Sequence, residues 1–446
     1  CIFDMRNVDE FALRQLSSEC IRRFITGAAN SKPESMGNVA ALDDARGTFY
    51  PLLCYGLGNS NESVRVHYLE LASTLFHSFT STFQECEPLM DQDPERDFFK
   101  NMAHLQTHRK IRAVNKLKGL IEGKHLQPRA IVDIGLPLVM NYICDLKAVA
   151  AGGTLSNLVD ACISALGAMC STLAWDHVSL IFSRLMRASK EKGGKQKSLM
   201  RAISSALDYF DQTSRSKEEQ QSQMNGDSGQ GQNVANLYLK RQVLPRFVQW
   251  FYREEEPSPH LVGGMIKVLR GSLPEQAAEV EISQLIHKLL VKLNNDKMQV
   301  RDSVRTSLHT ALSHAGSEYL SHTVNTMTSL LANRGYQAYI KGYTMFSLIQ
   351  NAEISMAFGE VDFSMGTIVT VLDADLFGDI ARDRQERKEA EKLFGKGFKE
   401  GLRCYSFDSV EILMRMMDIE KSFAHFFRFI VSKYSDGHMQ ARNVRR

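Results

Sequence analysis

The sequence predicts an all-α chain in which short helices stack as a solenoid of helix pairs. Three observations lead there. Residues 295–348 carry three successive apolar stripes at helical spacing: Val300, Val304, Leu308 and Leu312; Leu320, Val324, Met327 and Leu331; then Ile340, Tyr343, Met345 and Leu348. Short amphipathic helices in succession cannot each bury a face alone, so they must stack on one another. The first stripe also has a second copy far upstream. Asn59 answers Asn295, Val64-Arg65 answers Val300-Arg301, and Phe76 answers Leu312. Finally, polar/apolar alternation joined by Asn-Gly or Asp-Gly turns is nearly absent, so no sheet is placed.

The order Asp/Asn, then Val-Arg, then Leu is similar to the second helix of a HEAT repeat, which makes the expected fold a HEAT- or armadillo-like α-solenoid. Asn295 and Asp296 are the expected caps of the 300–312 helix, because a short oxygen-bearing side chain accepts from free backbone N–H groups. Gly316 marks its stop. Upstream, residues 8–24 form an amphipathic helix through Val8, Leu13, Leu16, Ile21 and Phe24, followed by Gly/Ser/Pro loop material over 26–36. Residues 49–57 are apolar, and 84–97 form an acidic loop holding Pro88 and Pro94. Residues 131–142 and 155–175 suit buried helices, 177–187 an amphipathic one, and 198–210 a further helix. Stripes resume at 237–252, 260–270 and 282–293. Residues 362–376 keep the helical period through Met365, Ile368, Val369, Leu372 and Leu376. Residues 380–398 suit a charged, solvated helix, and 408–417 and 423–431 close the array.

Residues 211–236 interrupt this pattern. Within them, residues 214–232 hold no large aliphatic side chain except Met224, too little apolar surface to offset the entropy of ordering them. The expected organisation is a helical array over 1–210, a disordered low-complexity insertion over 211–236, and a second array over 237–446.

The chain has 446 residues, is 43% hydrophobic and carries a net charge of +3, so only local charge clusters bear on partners. Position 1 is Cys rather than Met, which suits a piece of a longer protein. Eight scattered cysteines with no Cys-x-x-Cys fit buried thiols in a reducing compartment better than disulfides or zinc. The longest uncharged apolar run, 161–175, is too short to span a membrane, so no membrane partner is expected.

One stretch stands out by charge. Between Lys100 and Lys124 there are seven Lys/Arg (Lys100, Arg109, Lys110, Arg112, Lys116, Lys118, Lys124) against one acid, Glu122. Its apolar register changes between Leu105 and Ile111, so a break is expected near His108. A charge run is usually a solvated helix face. The functional alternative is phosphate contact by Lys and Arg, with His104 and His108 stacking or hydrogen-bonding on RNA. His104 and His108 are also spaced like metal ligands, but zinc needs three or four ligands and no helpful Cys or carboxylate lies nearby. No cofactor is expected either. Gly395-x-Gly397-x-x-x-Gly401 has the wrong spacing for a dinucleotide loop, and there is no phosphate loop, nucleophile elbow or paired carboxylate set. An enzyme and a small-molecule substrate are therefore not expected. The residues alone describe a helical-repeat interaction protein.

Four stretches in order resemble one family: DFFKNMAHLQTHRKIRAVNKL (97–117), RGYQAYIKGYT (334–344), DLFGDIARDR (375–384) and SFDSVEIL (406–413). Together they resemble the DRIM-type family of small-subunit processome proteins, component 20, associated with the U3 small nucleolar RNA. The resemblance implies a non-enzymatic scaffold in the nucleus and nucleolus, acting in pre-rRNA processing towards 18S rRNA and the 40S subunit. Its implied partners are pre-rRNA or U3 RNA and other processome proteins. Candidate contacts are the basic stretch with His104 and His108, and Arg334, Tyr336 and Gln337 of the second motif. Tyr at helical spacing is more often packed than ligand-bound, and Gly335 and Gly342 suit a tight turn or a close helix approach. The sequence departs from the family after Leu-Phe-Gly, where Arg382, Arg384, Arg387 and Lys388 interrupt an acidic helix, so no partner contact is transferred to 380–401. A karyopherin- or adaptin-like transport adaptor shares the architecture without RNA, and RNA dependence separates the two.

Overall fold

The computed structural model describes residues 10–30, 45–144, 154–190, 197–208, 229–332, 335–376 and much of 388–431. Among the described residues every regular element is helical and no strand occurs. The chain divides into two compact units, Cys1–Ala235 and Asn236–Arg446.

In the first unit the helices are α1 (Phe11–Ala29), α2 (Tyr50–Leu57), α3 (Glu62–Ser78), α4 (Phe98–Ala103), α5 (Thr107–Glu122), α6 (Leu136–Cys144), α7 (Thr154–Thr172), α8 (Trp175–Ala188) and α9 (197–208). Helix α3 packs on α1, α2 and α4, and α7 packs on α5 and α6. The core is aromatic where α2, α3 and α4 meet: the rings of Tyr50, Phe76, Phe83, Phe98 and Phe99 form a chain with centroids 5.2–6.1 Å apart. Each such side chain buries a large apolar area, and tilted or edge-on contacts add to it. Among the described residues one helical stretch, Leu155–Thr172, is long and apolar enough to cross a membrane by length and composition alone. It lies within α7, and 56% of that window is buried inside the fold, the position of a core helix.

The second unit contains α11 (Leu244–Arg253), α12 (Pro259–Ser272), α13 (Glu275–Val291), α14 (Met298–Ala315), α15 (Tyr319–Leu330), α16 (Tyr336–Ser355), α17 (Met365–Leu376) and α18 (Ser406–Met416), preceded by α10 (Gly229–Tyr238). Successive helices alternate between two layers. Helices α12, α14, α16 and α18 pack side by side in one, and α13, α15 and α17 in the other. This is the all-α, HEAT-like helix-pair stacking that the stripes predict. Residues 209–228 lie outside the described residues, and α10 begins at Gly229, inside the stretch expected as an insertion.

The two copies of the repeated pattern share three hydrogen bonds. The Asn59 Oδ1 accepts from the Asn61 N–H at 2.8 Å, and the Asn295 Oδ1 accepts from the Lys297 N–H at 2.8 Å. Arg65 donates to the carbonyls of Asn59 and Ser60 at 2.7 and 2.9 Å; Arg301 donates to those of Asn295 and Asp296 at 2.7 and 3.0 Å. In each copy one buried guanidinium therefore ties the inter-helix loop back to the helix it precedes. This corrects the expected caps. The residue at the N-cap of α14 is Lys297, and neither Asn295 nor Asp296 caps from there. Asn295 turns the chain two residues earlier, while Asp296 contributes its carbonyl. In the first copy Asn61 is the true cap, accepting from the Ser63 N–H at 2.9 Å.

A second difference is the start of α13, at Glu275 rather than near 282. Its first turns, Glu-Gln-Ala-Ala-Glu, are strong helix formers without an apolar stripe, so propensity extends the helix where periodicity is silent. Gly316 stops α14 at φ +118°, a conformation that favours glycine.

Candidate functional site

The basic stretch folds as α4 and α5, broken at 104–106 as its change of apolar register requires. Asp97, fully buried, caps α4 by accepting from the Lys100 N–H at 2.8 Å, and its other oxygen accepts from the Asp91 N–H at 3.3 Å. Asn101 donates to the carbonyls of Glu95 and Asp97 at 2.8 and 2.7 Å. The acidic segment is thereby folded against the two helices.

Several of the cations complete that fastening. Arg109 donates to the Asn101 Oδ1 at 2.8 Å and to the Pro94 carbonyl at 3.2 Å. Lys116 donates to the Arg96 carbonyl at 2.9 Å. Burial pushes the Lys116 ammonium pKa down, with Asp91 and Asp97 opposing the shift. Lys110 is buried and pairs with the Glu62 carboxylate, which also accepts from the Tyr142 hydroxyl at 3.2 Å. Burial works against the Glu62 charge, but the Lys110 contact outweighs it and holds the carboxyl below its ordinary pKa. Lys118 pairs along the helix with Glu122 at 3.5 Å.

The remaining basic side chains face outward. Lys100, His108, Arg112 and Lys124 are exposed, and Arg112 has only a distant partner, Glu95 at 3.9 Å. His104 sits in the break between the helices, its Nδ1 accepting from the Gln106 N–H at 3.1 Å. Desolvation and the nearby charges of Arg109, His108 and Lys110 lower its pKa. Beside Arg112 and Lys116 lies a cleft of about 490 Å³. Asp91, Asp93 and Glu95 line it together with Arg96, Arg112 and Lys116. Its carboxylates match its cations in number, so it offers a phosphate little net attraction. Sequence reasoning counted seven cations as one patch; the fold gives Arg109, Lys110 and Lys116 a framework role and leaves Lys100, His108, Arg112 and Lys124 on the surface.

In the second unit three of the four resembling motifs meet. Arg334 lies outside the described residues. Gly335 adopts φ +67° and ψ −160°, a region open essentially to glycine alone, and so fixes the turn into α16. Tyr336 opens that helix, half-buried. The Gln337 side chain accepts from the Ala332 N–H at 3.0 Å and donates to the Asn294 side chain at 2.8 Å, tying one inter-helix loop to the next. From the third motif, the Asp375 carboxylate accepts from the hydroxyl of Ser406 in the fourth at 2.5 Å and from the Cys404 thiol at 3.1 Å. It lies against the backbone of Gly342, where an added Cβ would come within 3.4 Å of it. Lys341, 4% exposed, faces the same carboxylate; burial lowers its pKa and Asp375 opposes the shift.

Beside this junction sits a buried ion-pair triad that sequence reasoning missed. Arg301 makes a two-pronged contact to Glu400, at 2.9 and 2.7 Å, and Arg305 reaches the same carboxylate. Arg305 also donates to the Thr344 hydroxyl at 3.0 Å and stands 4.7 Å over the Tyr343 ring. One signal could have found it. Arg301 and Arg305 each follow a stripe residue, Val300 and Val304, so both flank the buried face of α14.

Residues 253–440 match the family model described as the U3 small nucleolar RNA-associated protein 20 domain. The chain is also similar to the U3 small nucleolar RNA-associated protein 20 of Schizosaccharomyces pombe, 24% identical over 442 residues, covering 94% of this chain and 17% of the relative. The protein of the same name from Saccharomyces cerevisiae is 22% identical over 425 residues, covering 92% and 16%. The chain thus spans about a sixth of the length of the curated relatives it matches. The family match lies in the unit that holds the motif junction, and the two alignments take in both units. Residues 253–440 therefore carry the U3 small nucleolar RNA-associated protein 20 domain, in a chain that aligns along most of its length with two proteins of that name.

Proposed function

We propose that this chain is a non-enzymatic scaffold segment of the small-subunit processome. It holds pre-rRNA or U3 small nucleolar RNA, together with neighbouring processome proteins, during the maturation of 18S rRNA in the nucleolus. The observation that carries this reading is the alignment of relatives named for the U3 RNA along more than nine-tenths of the chain, through both units. Stacked helix pairs suit the role because such arrays present extended surfaces to partners. RNA contact is assigned to the exposed cations Lys100, Arg112 and Lys124 with His108. Lys and Arg neutralise phosphates without reading bases, and an exposed imidazole hydrogen-bonds or stacks on single-stranded bases. His104, whose Nδ1 already accepts from the Gln106 N–H, joins that surface as a donor through its Nε2–H. Arg109, Lys110 and Lys116 hold the framework behind it. Tyr336 and Gln337 keep a structural role in the second unit.

Tagged chain recovered from nuclei is expected to enrich U3 RNA and pre-rRNA, and nuclease treatment should release its protein partners. Recovery of transport cargo with no U3 RNA would instead support a karyopherin- or adaptin-like adaptor.

A further inference from the structure

The repeat equivalence isolates a feature that stacking itself does not require. In the first unit, Arg65 closes its outer face on the Tyr142 ring, 5.2 Å away, and the position matching Arg305 is Leu69, buried and apolar. In the second unit that leucine is replaced by Arg305, which forms a pair of guanidinium groups with Arg301. Both are oriented by groups other than Glu400. The Asn295 and Asp296 carbonyls hold Arg301; the Thr344 hydroxyl and the Asp302 carboxylate, at 3.0 and 2.7 Å, hold Arg305. The remaining donors, Nε and one terminal nitrogen of Arg301 and one of Arg305, converge on a single oxyanion. That oxyanion is the carboxylate of a one-turn strap, Lys399–Gly401, with the Phe398 ring under Arg301 at 5.7 Å. The Tyr405 hydroxyl donates to the Lys399 carbonyl at 2.9 Å, and the Lys399 side chain itself is exposed.

We propose that Arg301, Arg305 and Thr344 form a carboxylate socket for a Phe-x-Glu peptide, filled in cis by the 398–401 strap and open to the same sequence in trans from a protein partner. Fork-shaped guanidinium groups bind a carboxylate in two-pronged fashion, which supplies geometric selectivity as well as strength. A bound partner segment would displace the strap, so recognition and strap release are one event. Because the socket lies in the second unit and takes a peptide, it is independent of the RNA surface assigned to the first.

The test uses the whole chain and a synthetic peptide of residues 396–403, with a second peptide carrying Gln in place of Glu. Cys404 reports the strap, since its thiol is held on Asp375 just beyond it. In the wild-type chain the Glu peptide is expected to raise Cys404 alkylation several-fold and saturably, as read by peptide mass spectrometry, and the Gln peptide to have no effect. In the Glu400→Gln chain the fluorescent Glu peptide is expected to bind and to raise the melting temperature. Wild-type alkylation that is unchanged by the Glu peptide, or raised equally by the Gln peptide, overturns the proposal whether or not the variant folds.

Discussion

Replacing Glu400 with Gln destabilises the second unit by about 3–5 kcal/mol, the usual loss when one partner of a buried ion pair is neutralised. Arg301 and Glu400 are 0% and 1% exposed, and Arg305 is 3% exposed, so water cannot take over the lost contacts. Gln matches the shape of Glu but carries no charge, leaving two desolvated guanidinium groups without the carboxylate that both contact. The loss therefore measures uncompensated charge rather than packing. The chain has two tryptophans, Trp175 in the first unit and fully buried Trp250 in the second. In a Trp175→Phe background, the urea midpoint followed by Trp250 fluorescence reports the second unit. An unchanged midpoint would mean that the strap is not seated on the two arginines in solution.

The second unit also loses stability as the pH falls from about 6.5 to 4. Burial pushes both His309 and His314 down to about 4. His309 accepts or donates at the Ser347 hydroxyl, 3.1 Å away, and a Cβ added at Gly263 would lie 3.0 Å from the His314 ring. Arg305 adds to the first shift and Lys267 to the second. The sign follows from linkage. In this window the unfolded chain takes up protons that the folded chain refuses, so stability is full above pH 6.5 and drains away towards pH 4. A depression of that size is worth roughly 2–3 kcal/mol per ring once partial exposure is allowed for. Lys267, pushed down to about 8 by burial, acts in the same direction at the other end, where its penalty is present below pH 8 and relieved towards 10.5. Stability measured by Trp250 between pH 4 and 7 is expected to fall less steeply in a His309→Gln/His314→Gln variant. Equal slopes would show that neither ring is held neutral.

Much of the fold was legible because it depends on local apolar spacing. The 300–312 stripe marks α14, and the Asn59/Asn295 correspondence anticipates an arginine fastening repeated in both units. The polar interior was less legible because its partners are remote in sequence. Lys110 meets Glu62, 48 residues away, and Arg301 meets Glu400, 99 residues away. No window that scores charge or periodicity joins such pairs. The basic stretch divides between framework and surface for the same reason. Arg109 and Lys116 are spent on carbonyls of the preceding loop, which no count of charges records. Gln337 was singled out for its motif, yet it serves loop-to-loop attachment through Asn294.

The most direct test of the central claim, that this chain meets RNA through the cations left on the surface of α4 and α5, is the salt dependence of RNA affinity for two variants. Lys100→Ala/Arg112→Ala/Lys124→Ala removes surface charge and leaves the fastening of the 84–97 segment intact. Arg109→Ala/Lys116→Ala does the reverse. Each phosphate contact contributes roughly 0.7 to the slope of log affinity against log salt for single strands, so the surface variant should lower that slope by about 2 with helicity preserved. Affinity should fall similarly for unrelated sequences, because phosphate contacts do not read bases. The fastening variant should lose thermal stability, with a slope close to wild type wherever it remains folded. A folded surface variant that keeps both the affinity and the slope of the wild type would contradict the account and leave α5 as a solvated helix.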